Sequence, residues 1–335
     1  ATTEIYTLSL HDALPISLYT LMGDDYEVDV ERKIVTGSLV AGNGTIDTGI
    51  DWSVRTGGPA IGYTPVASQV YTDDGIHLAY QNTESQVLGY GDTPMLSVVA
   101  PLEKNPQIIM WDPETYPEVE TLADLGEAGV TINVFGGGVF SEVFVAQGIW
   151  SADQVDPSYD GSPQRFVAEG GKIAQQGFAS AEPYNYEFVF EEWGKPVGFQ
   201  LLHDAGFEVY SQTIAVRPDK LEELRPCLEQ VVPLIQQAVV DFAATPDRAN
   251  AIIIDAVEKF NDFWVYDEGV ANFAVETMTE LGLHGNGPDS TVGNFQAERI
   301  QGVIDAMRDA GMDVPSDLTA EDLFTNEFID DSIGF

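Results

Sequence analysis

Short apolar segments that end in a tight turn recur along the first two thirds of this chain, and helical patterns separate several of them. Ile50 to Arg55 alternates apolar and polar residues and ends at Thr56-Gly57-Gly58-Pro59, while the β-branched run Val130 to Phe135 ends at Gly136-Gly137-Gly138. Strands that alternate with helices predict an α/β fold with largely parallel strands. The other predicted strands are Ile76 to Tyr80, Ser97 to Ala100, Gln107 to Trp111, Gly177 to Ala181 and Val209 to Val216.

Helical patterns dominate the last third, whereas the stretch before Gly49 has no clear periodicity. One helix face carries Leu228, Val231, Val232, Ile235, Val239 and Phe242, and we expect Pro233 to bend that helix without ending it. Further helices are predicted from Thr245-Pro246, from Val270 to a stop at Gly282, and over Glu298 to Ala310. A chain of 335 residues exceeds one ordinary core, so two domains or lobes are expected.

The charge balance excludes several classes of partner. Lys and Arg total 14 against 55 Asp and Glu, which gives a formal net charge of −41. Such a field repels phosphate backbones and anionic lipid, so we expect neither nucleic-acid nor membrane-surface binding, and we interpret the acidity as a solvated surface. The single cysteine, Cys227, lies in an apolar helical pattern and is expected to be a buried structural thiol.

The amino-terminal segment is unusual. Glu4 to Ser17 resembles the translation of a sequencing adapter that contaminates some assembled metagenomic genes. We therefore expect residues 1–17 to be a non-native tail that replaced the true start, and we expect the native export signal to be missing from this sequence.

The segment Gly170 to Glu187 is the strongest candidate for a ligand site. Its predicted strand ends at Glu182-Pro183-Tyr184, and an acid with nearby tyrosines at a strand's carboxyl end offers stacking faces and hydrogen-bonding groups. On an extended segment Tyr184 and Tyr186 face one side. Glu182 and Pro183 equally suit a helix first turn, in which case the carboxylate is a helix-cap partner or a solvated loop group.

Two glycine loops and several aromatic residues complete the predicted pocket. Loops such as Gly57-Gly58 and Gly137-Gly138 let the backbone approach a ligand, although turn geometry alone also explains glycine there. Trp111 and Phe140 could line the same cleft or belong to the core. Neither loop has a nucleotide-binding motif.

Catalytic and cofactor signals are weak. The histidines His11, His77, His203 and His284 share no metal-ligand spacing, and no hydrolase, zinc-protease, CxxC or calcium-loop motif occurs. We therefore expect no cofactor and no enzymatic activity.

Three blocks together resemble the solute-binding proteins of ABC importers, in the group related to thiamine-pyrimidine synthases that includes thiamine-precursor, sulfonate and nitrate binders. They are GGPAIGYTPVASQVYTDDGIHLAYQNTESQV from Gly57, NPQIIMWDPETYPEVETLADLGEAGVTINVFGGG from Asn105, and GGKIAQQGFASAEPYNYE from Gly170. The family's first strand, which usually carries ligand-facing residues, has no counterpart here, because the adapter-like segment stands in its place.

The resemblance implies a type II periplasmic-binding-protein fold, in which two α/β lobes close on a ligand. By position, the hinges are Ile108 to Asp112 and Val209 to Gln212, lobe one is residues 18–108 plus 213–335, and lobe two is 109–212. Closure would bring together residues from both lobes. The implied ligand contacts are Gly57, Gly58, Asn82, Thr83, Gly137, Gly138, Phe140, Glu182, Tyr184 and Tyr186.

The implied function is that of a monomeric extracytoplasmic protein, periplasmic or lipid-anchored, that delivers a small organic ligand to the membrane subunits of an importer. The predicted loops hold no Lys or Arg, which favours a neutral or cationic nitrogen heterocycle, such as a pyrimidine, over a sulfonate or nitrate. Sulfonate or nitrate binding remains an alternative, as does a sensor or adhesion module. A further alternative is the family's fungal enzyme of thiamine-pyrimidine synthesis, whose cysteine-rich iron site has no counterpart around Cys227.

Overall fold

Two β-sheets organise the computed structural model, which describes residues 2–6, 16–57, 64–261 and 266–335. The strands are β1 (Thr2–Tyr6), β2 (Glu27–Asp29), β3 (Ile34–Ala41), β4 (Ile46–Arg55), β5 (Ile76–Gln81), β6 (Leu96–Val99), β7 (Gln107–Trp111), β8 (Ile132–Asn133), β9 (Val155–Asp156), β10 (Ala174–Phe178), β11 (Gly198–Leu201) and β12 (Thr213–Val216). The α-helices are α1 (Val66–Thr72), α2 (Thr83–Gly89), α3 (Leu122–Glu127), α4 (Val139–Ala146), α5 (Gln164–Ala168), α6 (Glu182–Tyr184), α7 (Leu221–Ala244), α8 (Asp247–Phe260), α9 (Glu268–Glu280) and α10 (Ala297–Asp309).

The first sheet has seven strands in the order β2-β3-β4-β1-β5-β12-β6. β1 pairs in parallel with β4 and β5, and β12 is antiparallel to both of its neighbours. The second sheet has the order β11-β7-β10-β8-β9, with β8 parallel to β10 and β9 and with β7 antiparallel to β10 and β11.

The chain crosses between the sheets twice, through residues 100–106 and residues 202–212. The first crossover leaves the carboxyl end of β6, which runs parallel to β5, and enters β7 at the edge where β10 ends. The second leaves β11 at that same edge and enters β12 beside the carboxyl end of β5. Both connections therefore join the carboxyl-end edges of the two sheets, and this α/β arrangement agrees with the predicted fold class.

Buried apolar residues form two large clusters, of which the first draws on strands of both sheets and the second on strands of the second sheet together with α2 and α10. One joins Trp52 of β4 to Ile108 of β7 and to the helices α7, α8 and α9. The other joins Val87 of α2 to the aromatic residues of α4 and to α10. The predicted lobe boundaries at 108/109 and 212/213 therefore cross continuous apolar contacts.

Most predicted elements occur in the structure. α7 continues through Pro226 and Pro233, and Thr121 and Asp124 form a full capping box at the start of α3, with Asp124 N donating to Thr121 Oγ1 at 3.2 Å. The stretch before Gly49 was wrongly interpreted as unpatterned, because β3 and β4 form a hairpin there. Its turn contains Asn43 in a left-handed conformation with φ of 51°.

Part of the predicted tail is packed into the structure. β1 lies between β4 and β5, and Ile16 and Ser17 begin a buried 3-10 helix, Ile16–Leu21, that contacts α7 and α8. The origin of residues 1–17 stays a prediction. Cys227 is half-buried on α7, against the first apolar cluster.

Candidate functional site

The first-sheet edge carries three of the predicted ligand residues. Gly57 is buried just after β4, and Gly58 lies outside the described residues. Asn82 and Thr83 follow β5 directly and begin α2. Asn82 and Thr83 contact the second crossover, whereas Gly57 lies at the same edge of the sheet, two strands away from β5.

Asn82 and Thr83 are bound to the second crossover by reciprocal hydrogen bonds. Thr83 N donates to Tyr210 O at 3.0 Å, and Tyr210 N donates to Thr83 Oγ1 at 3.1 Å. Asn82 Oδ1 accepts from Gln212 N at 2.8 Å. The Asn82 and Thr83 side chains thus fix the end of β5 to the segment predicted as a hinge, residues 209–212.

The glycine loop at the second-sheet edge lies beside an apolar cavity. Gly137 has φ of 81°, which favours glycine, and Gly138 is the residue before α4. The loop is held by Phe135 N, which donates to Gln176 Oε1 at 2.9 Å. A cavity of about 550 Å³ is lined by both glycines together with Val134, Phe135, Ser141, Glu142, Val145, Ala146, Ala152, Val155, Pro157 and Ala310. Its volume lies in the range of small-molecule pockets.

Phe140 points into the core in this structure. Its side chain is 3% exposed, and its ring centroid lies 6.4 Å from those of Phe144, Trp150 and Phe207. The edge-on or tilted geometry of these pairs is typical of packed aromatic residues. The structure therefore assigns the Phe140 side chain to packing beneath the glycine loop.

Glu182 folds back over the strand that precedes it. Glu182 begins the helical turn α6, and its Oε2 accepts from Phe178 N at 2.7 Å. Gly177 leaves the space for this, since a Cβ there would lie 2.9 Å from Glu182 Cγ. Burial outweighs the hydrogen bond and raises the Glu182 pKa from 4.5 to about 7. The helix-first-turn alternative describes Glu182 best.

We expect Glu182→Gln to remove part of the pH dependence of folding. The raised pKa means that the folded state holds the proton more tightly than the unfolded state, so stability falls as pH rises from about 4.5 to about 7. The glutamine retains an acceptor for Phe178 N and cannot ionise. The variant should therefore gain on the order of 2–3 kcal/mol over the parent across this interval, measured by urea unfolding at several pH values.

Glu84 has a pKa raised in the same way, and burial lowers the pKa values of His203 and His284 to about 4. Those groups titrate alike in parent and variant, so the difference curve isolates Glu182. A difference curve that is flat between pH 4.5 and 7 would contradict a Glu182 pKa raised above its usual value.

Tyr186 is a core residue, and the segment from Glu182 to Val189 is helical instead of extended. The Tyr186 side chain is 1% exposed, its Oη accepts from Gln175 Nε2 at 2.7 Å, and its ring packs edge-on against Phe166 at 5.3 Å. The helical turns place Tyr184 and Tyr186 in different surroundings, which corrects the prediction that both face one side.

Tyr184 contacts a helix that belongs to the predicted lobe one. Its ring lies 5.5 Å from that of Phe273 on α9 and 5.0 Å from that of Phe188. Its hydroxyl lies so close to Gly269, in the first turn of α9, that a side chain at 269 would overlap with it. Tyr184 therefore joins the end of the second sheet to the helical tail.

Two residues that the sequence did not single out complete the first-sheet edge. Gln212 at the end of the second crossover is buried with φ of 54°, and Glu84 lies in the first turn of α2. Glu84 follows Asn82 and Thr83 at the end of a predicted strand, so its position at the sheet edge could have been predicted from the sequence. The left-handed backbone of Gln212 was not, because glutamine carries no signal for it.

The structure thus brings the predicted residues together in part. Gly57, Asn82 and Thr83 lie at the first-sheet edge, Gly137, Gly138 and Glu182 at the second-sheet edge, and Tyr184 joins the two regions, while Phe140 and Tyr186 pack in cores. Within the described ranges no group of three or more His, Cys, Asp or Glu is placed to hold a metal ion. None of the helices described is long and apolar enough to cross a bilayer.

Comparison with solved structures defines the fold. A protein from Bordetella bronchiseptica RB50 superposes with a TM-score of 0.59 at 12% identity, covering 98% of this chain and 95% of that chain. The ligand-binding component of an ABC-type import system from Staphylococcus aureus, with zinc bound, gives 0.57 at 10% identity over 98% and 97%. A putative periplasmic sulfonate-binding protein from Methylobacillus flagellatus KT gives 0.55 at 10% identity over 98% and 92%.

These similarities extend over almost the whole length of each chain, so the periplasmic-binding-protein fold includes both sheets and the helical tail. No protein-family model and no curated protein matches the sequence. At 10–12% identity the structural likeness concerns the fold. A shared fold does not determine function, which depends on the residues of the site.

Proposed function

We propose that this chain is an extracytoplasmic solute-binding protein of an ABC importer and that it binds a small organic ligand by closure of two lobes. The observation that carries the proposal is the joining of the two carboxyl-end edges by two crossovers. Open α/β sheets bind ligands outside the carboxyl ends of their strands, so the proposed binding site lies between these two edges. The fold shared with import-system binding components supports this reading.

The proposed lobes are residues 18–108 plus 213–335 and residues 109–212. The proposed hinge at 209–212 lies in the second crossover, whereas the one predicted at 108–112 falls mostly within β7, so we place the first hinge in the crossover at residues 100–106. Gly57, Gly58, Asn82 and Thr83 would face Gly137, Gly138 and Glu182 on closure, with Tyr184 at the margin. Because apolar contacts continue across the boundary, closure would alter the contacts near the crossovers more than those within either sheet. We propose a monomer that delivers ligand to importer membrane subunits.

The proposed ligand is a neutral or cationic nitrogen compound. The predicted loops lack Lys and Arg, and Arg55, which ends β4, pairs with Asp73 at 3.3 Å. A sulfonate or nitrate needs charge-assisted donors, whereas carboxyl and amide groups suit N–H donors on a ligand. Sulfonate binding is the competing candidate, because one structural neighbour is named a sulfonate-binding protein.

Isothermal titration and small-angle scattering test the proposal together. Pyrimidines, amines and sulfonates are titrated into the full chain, and a ligand at 100 times its Kd should stabilise the fold by about 2.7 kcal/mol. Closure should also reduce the radius of gyration. Binding by sulfonates alone would contradict the proposal that the ligand is a neutral or cationic nitrogen compound. Failure of all three classes to bind, or binding without compaction, would contradict the clamp.

A further inference from the structure

The Gln212 side chain is a buried amide that no described residue satisfies. Its exposure is 4%, and neither Oε1 nor Nε2 has a hydrogen-bond partner among the residues that the structure describes. Its backbone is left-handed, with φ of 54°, which is an unfavourable conformation for a residue other than glycine, asparagine or aspartate. Buried amides are normally satisfied, so Gln212 combines two unfavourable features at one position.

The position of Gln212 is fixed by the first-sheet edge. Its N donates to Asn82 Oδ1 at 2.8 Å, and Ser211 Oγ donates to the same oxygen at 3.3 Å. The Asn82 side chain also hydrogen-bonds the Glu84 carboxylate. Asn82 therefore contacts both the Gln212 backbone and the Glu84 side chain.

Glu84 has an unpartnered atom of its own. Its Oε2 is buried and has no hydrogen-bond partner in the described part of the chain. Burial raises the Glu84 pKa to about 7, so at neutral pH this carboxyl is a ready hydrogen-bond partner in either protonation state. Three buried polar atoms on two side chains thus lie unsatisfied at the edge where a ligand is proposed to bind.

We propose that Gln212 and Glu84, positioned by Asn82, are the specificity-determining residues of the ligand site and select a ligand with an amide-type edge, that is, an N–H donor beside a carbonyl or ring-nitrogen acceptor. This inference rests on the proposed function of the cleft. A primary amide presents one acceptor and one donor direction side by side, so Gln212 can pair with such an edge through two hydrogen bonds. Glu84 then accepts from, or donates to, a further polar group of the same ligand.

The chemistry separates this ligand class from sulfonates. A sulfonate has acceptors only, so it would leave Gln212 Oε1 unpaired and would be repelled by an ionised Glu84. A site built to hydrogen-bond a ligand N–H discriminates strongly against analogues that lack it, because its buried groups are then left unpaired.

The experiment uses the full chain with cytosine, uracil and 4-aminopyrimidine as amide-edge probes, and with taurine and nitrate as anionic probes. Parent, Gln212→Gly and Glu84→Gln are compared by isothermal titration and thermal unfolding. We expect Gln212→Gly to weaken the tightest amide-edge probe at least tenfold while raising Tm, because glycine accepts the left-handed backbone and removes the buried amide. Glu84→Gln should reorder the three probes, since it changes the donors and acceptors that face them.

Asn261→Gly is the matched control, since Asn261 is also left-handed, with φ of 48°, at the end of α8. It should leave probe affinity unchanged. If Gln212→Gly binds every probe as the parent does, the amide serves only a structural water and the inference fails. If only taurine or nitrate binds, the inference fails while solute binding stands, and if no probe of either kind binds, both fail.

Discussion

Phe140→Ala is expected to lower the free energy of unfolding by about 3–5 kcal/mol, because the change empties a ring-sized space among packed aromatic side chains. The rings of Phe144, Trp150 and Phe207 surround Phe140, and at 3% exposure it has little surface to offer a ligand. Urea unfolding measures the loss. Ligand affinity in the folded fraction should change far less than stability.

Two companion variants sharpen this test. Phe140→Leu keeps most of the volume and should cost less than about 1.5 kcal/mol. Phe188→Ala removes a ring that is 63% exposed and should stay within about 0.5 kcal/mol of the parent. A Phe140→Ala protein with unchanged stability and sharply weaker ligand binding would restore Phe140 to the ligand site, as the sequence first indicated.

Gly269→Ala is expected to displace Tyr184 and so weaken the contact between α6 and α9. The new methyl group overlaps with the Tyr184 hydroxyl, and the ring must leave Phe273 to make room. Strain of this kind costs about 1–3 kcal/mol, measured by urea unfolding. Because Tyr184 joins regions assigned to different lobes, the variant should also show a larger radius of gyration without ligand.

A double-mutant cycle separates this contact from a general effect on α9. Tyr184→Ala removes the overlapping side chain, so Gly269→Ala should cost much less in that background than in the parent. Gly302→Ala in α10 is the control, since a methyl group there meets nothing within 4 Å and should be neutral or slightly stabilising. Equal costs of Gly269→Ala in both backgrounds would show that Tyr184 is not the residue being displaced.

The sequence predicted the fold well where hydrophobic periodicity and end signals agree. The long apolar face of α7 was predictable, since it depends on residues close together in the chain. The hairpin of β3 and β4 was missed, although Asn43-Gly44 is a strong turn signal, because its strands are rich in small and polar residues. The predicted strand Val130 to Phe135 is longer than the observed β8, Ile132–Asn133. A β-branched run indicates a strand, but it does not fix the residue at which strand pairing stops.

The site was harder to predict because a residue type does not reveal which way its side chain points. Phe140 and Tyr186 follow ligand-type loops, yet their rings fill the core, and Glu182 turns back onto its own strand. Tyr184 was found as an aromatic residue of the cleft region, but its contact with α9 depends on chain that is distant in sequence. The sequence analysis named Gln212 only as the last residue of a predicted hinge. Its left-handed backbone conformation could not be predicted, because the residue type does not indicate it.

The placement of β12 has a consequence for how the protein assembles during synthesis. β6 joins the first sheet through β12, and all of β7 to β11 is made between these two strands. A chain emerging from the ribosome can therefore complete the second sheet while β5 and β6 still await the strand between them. Unpaired strand edges of this kind favour association with other chains, so the nascent protein is most vulnerable to aggregation until Val216 has emerged.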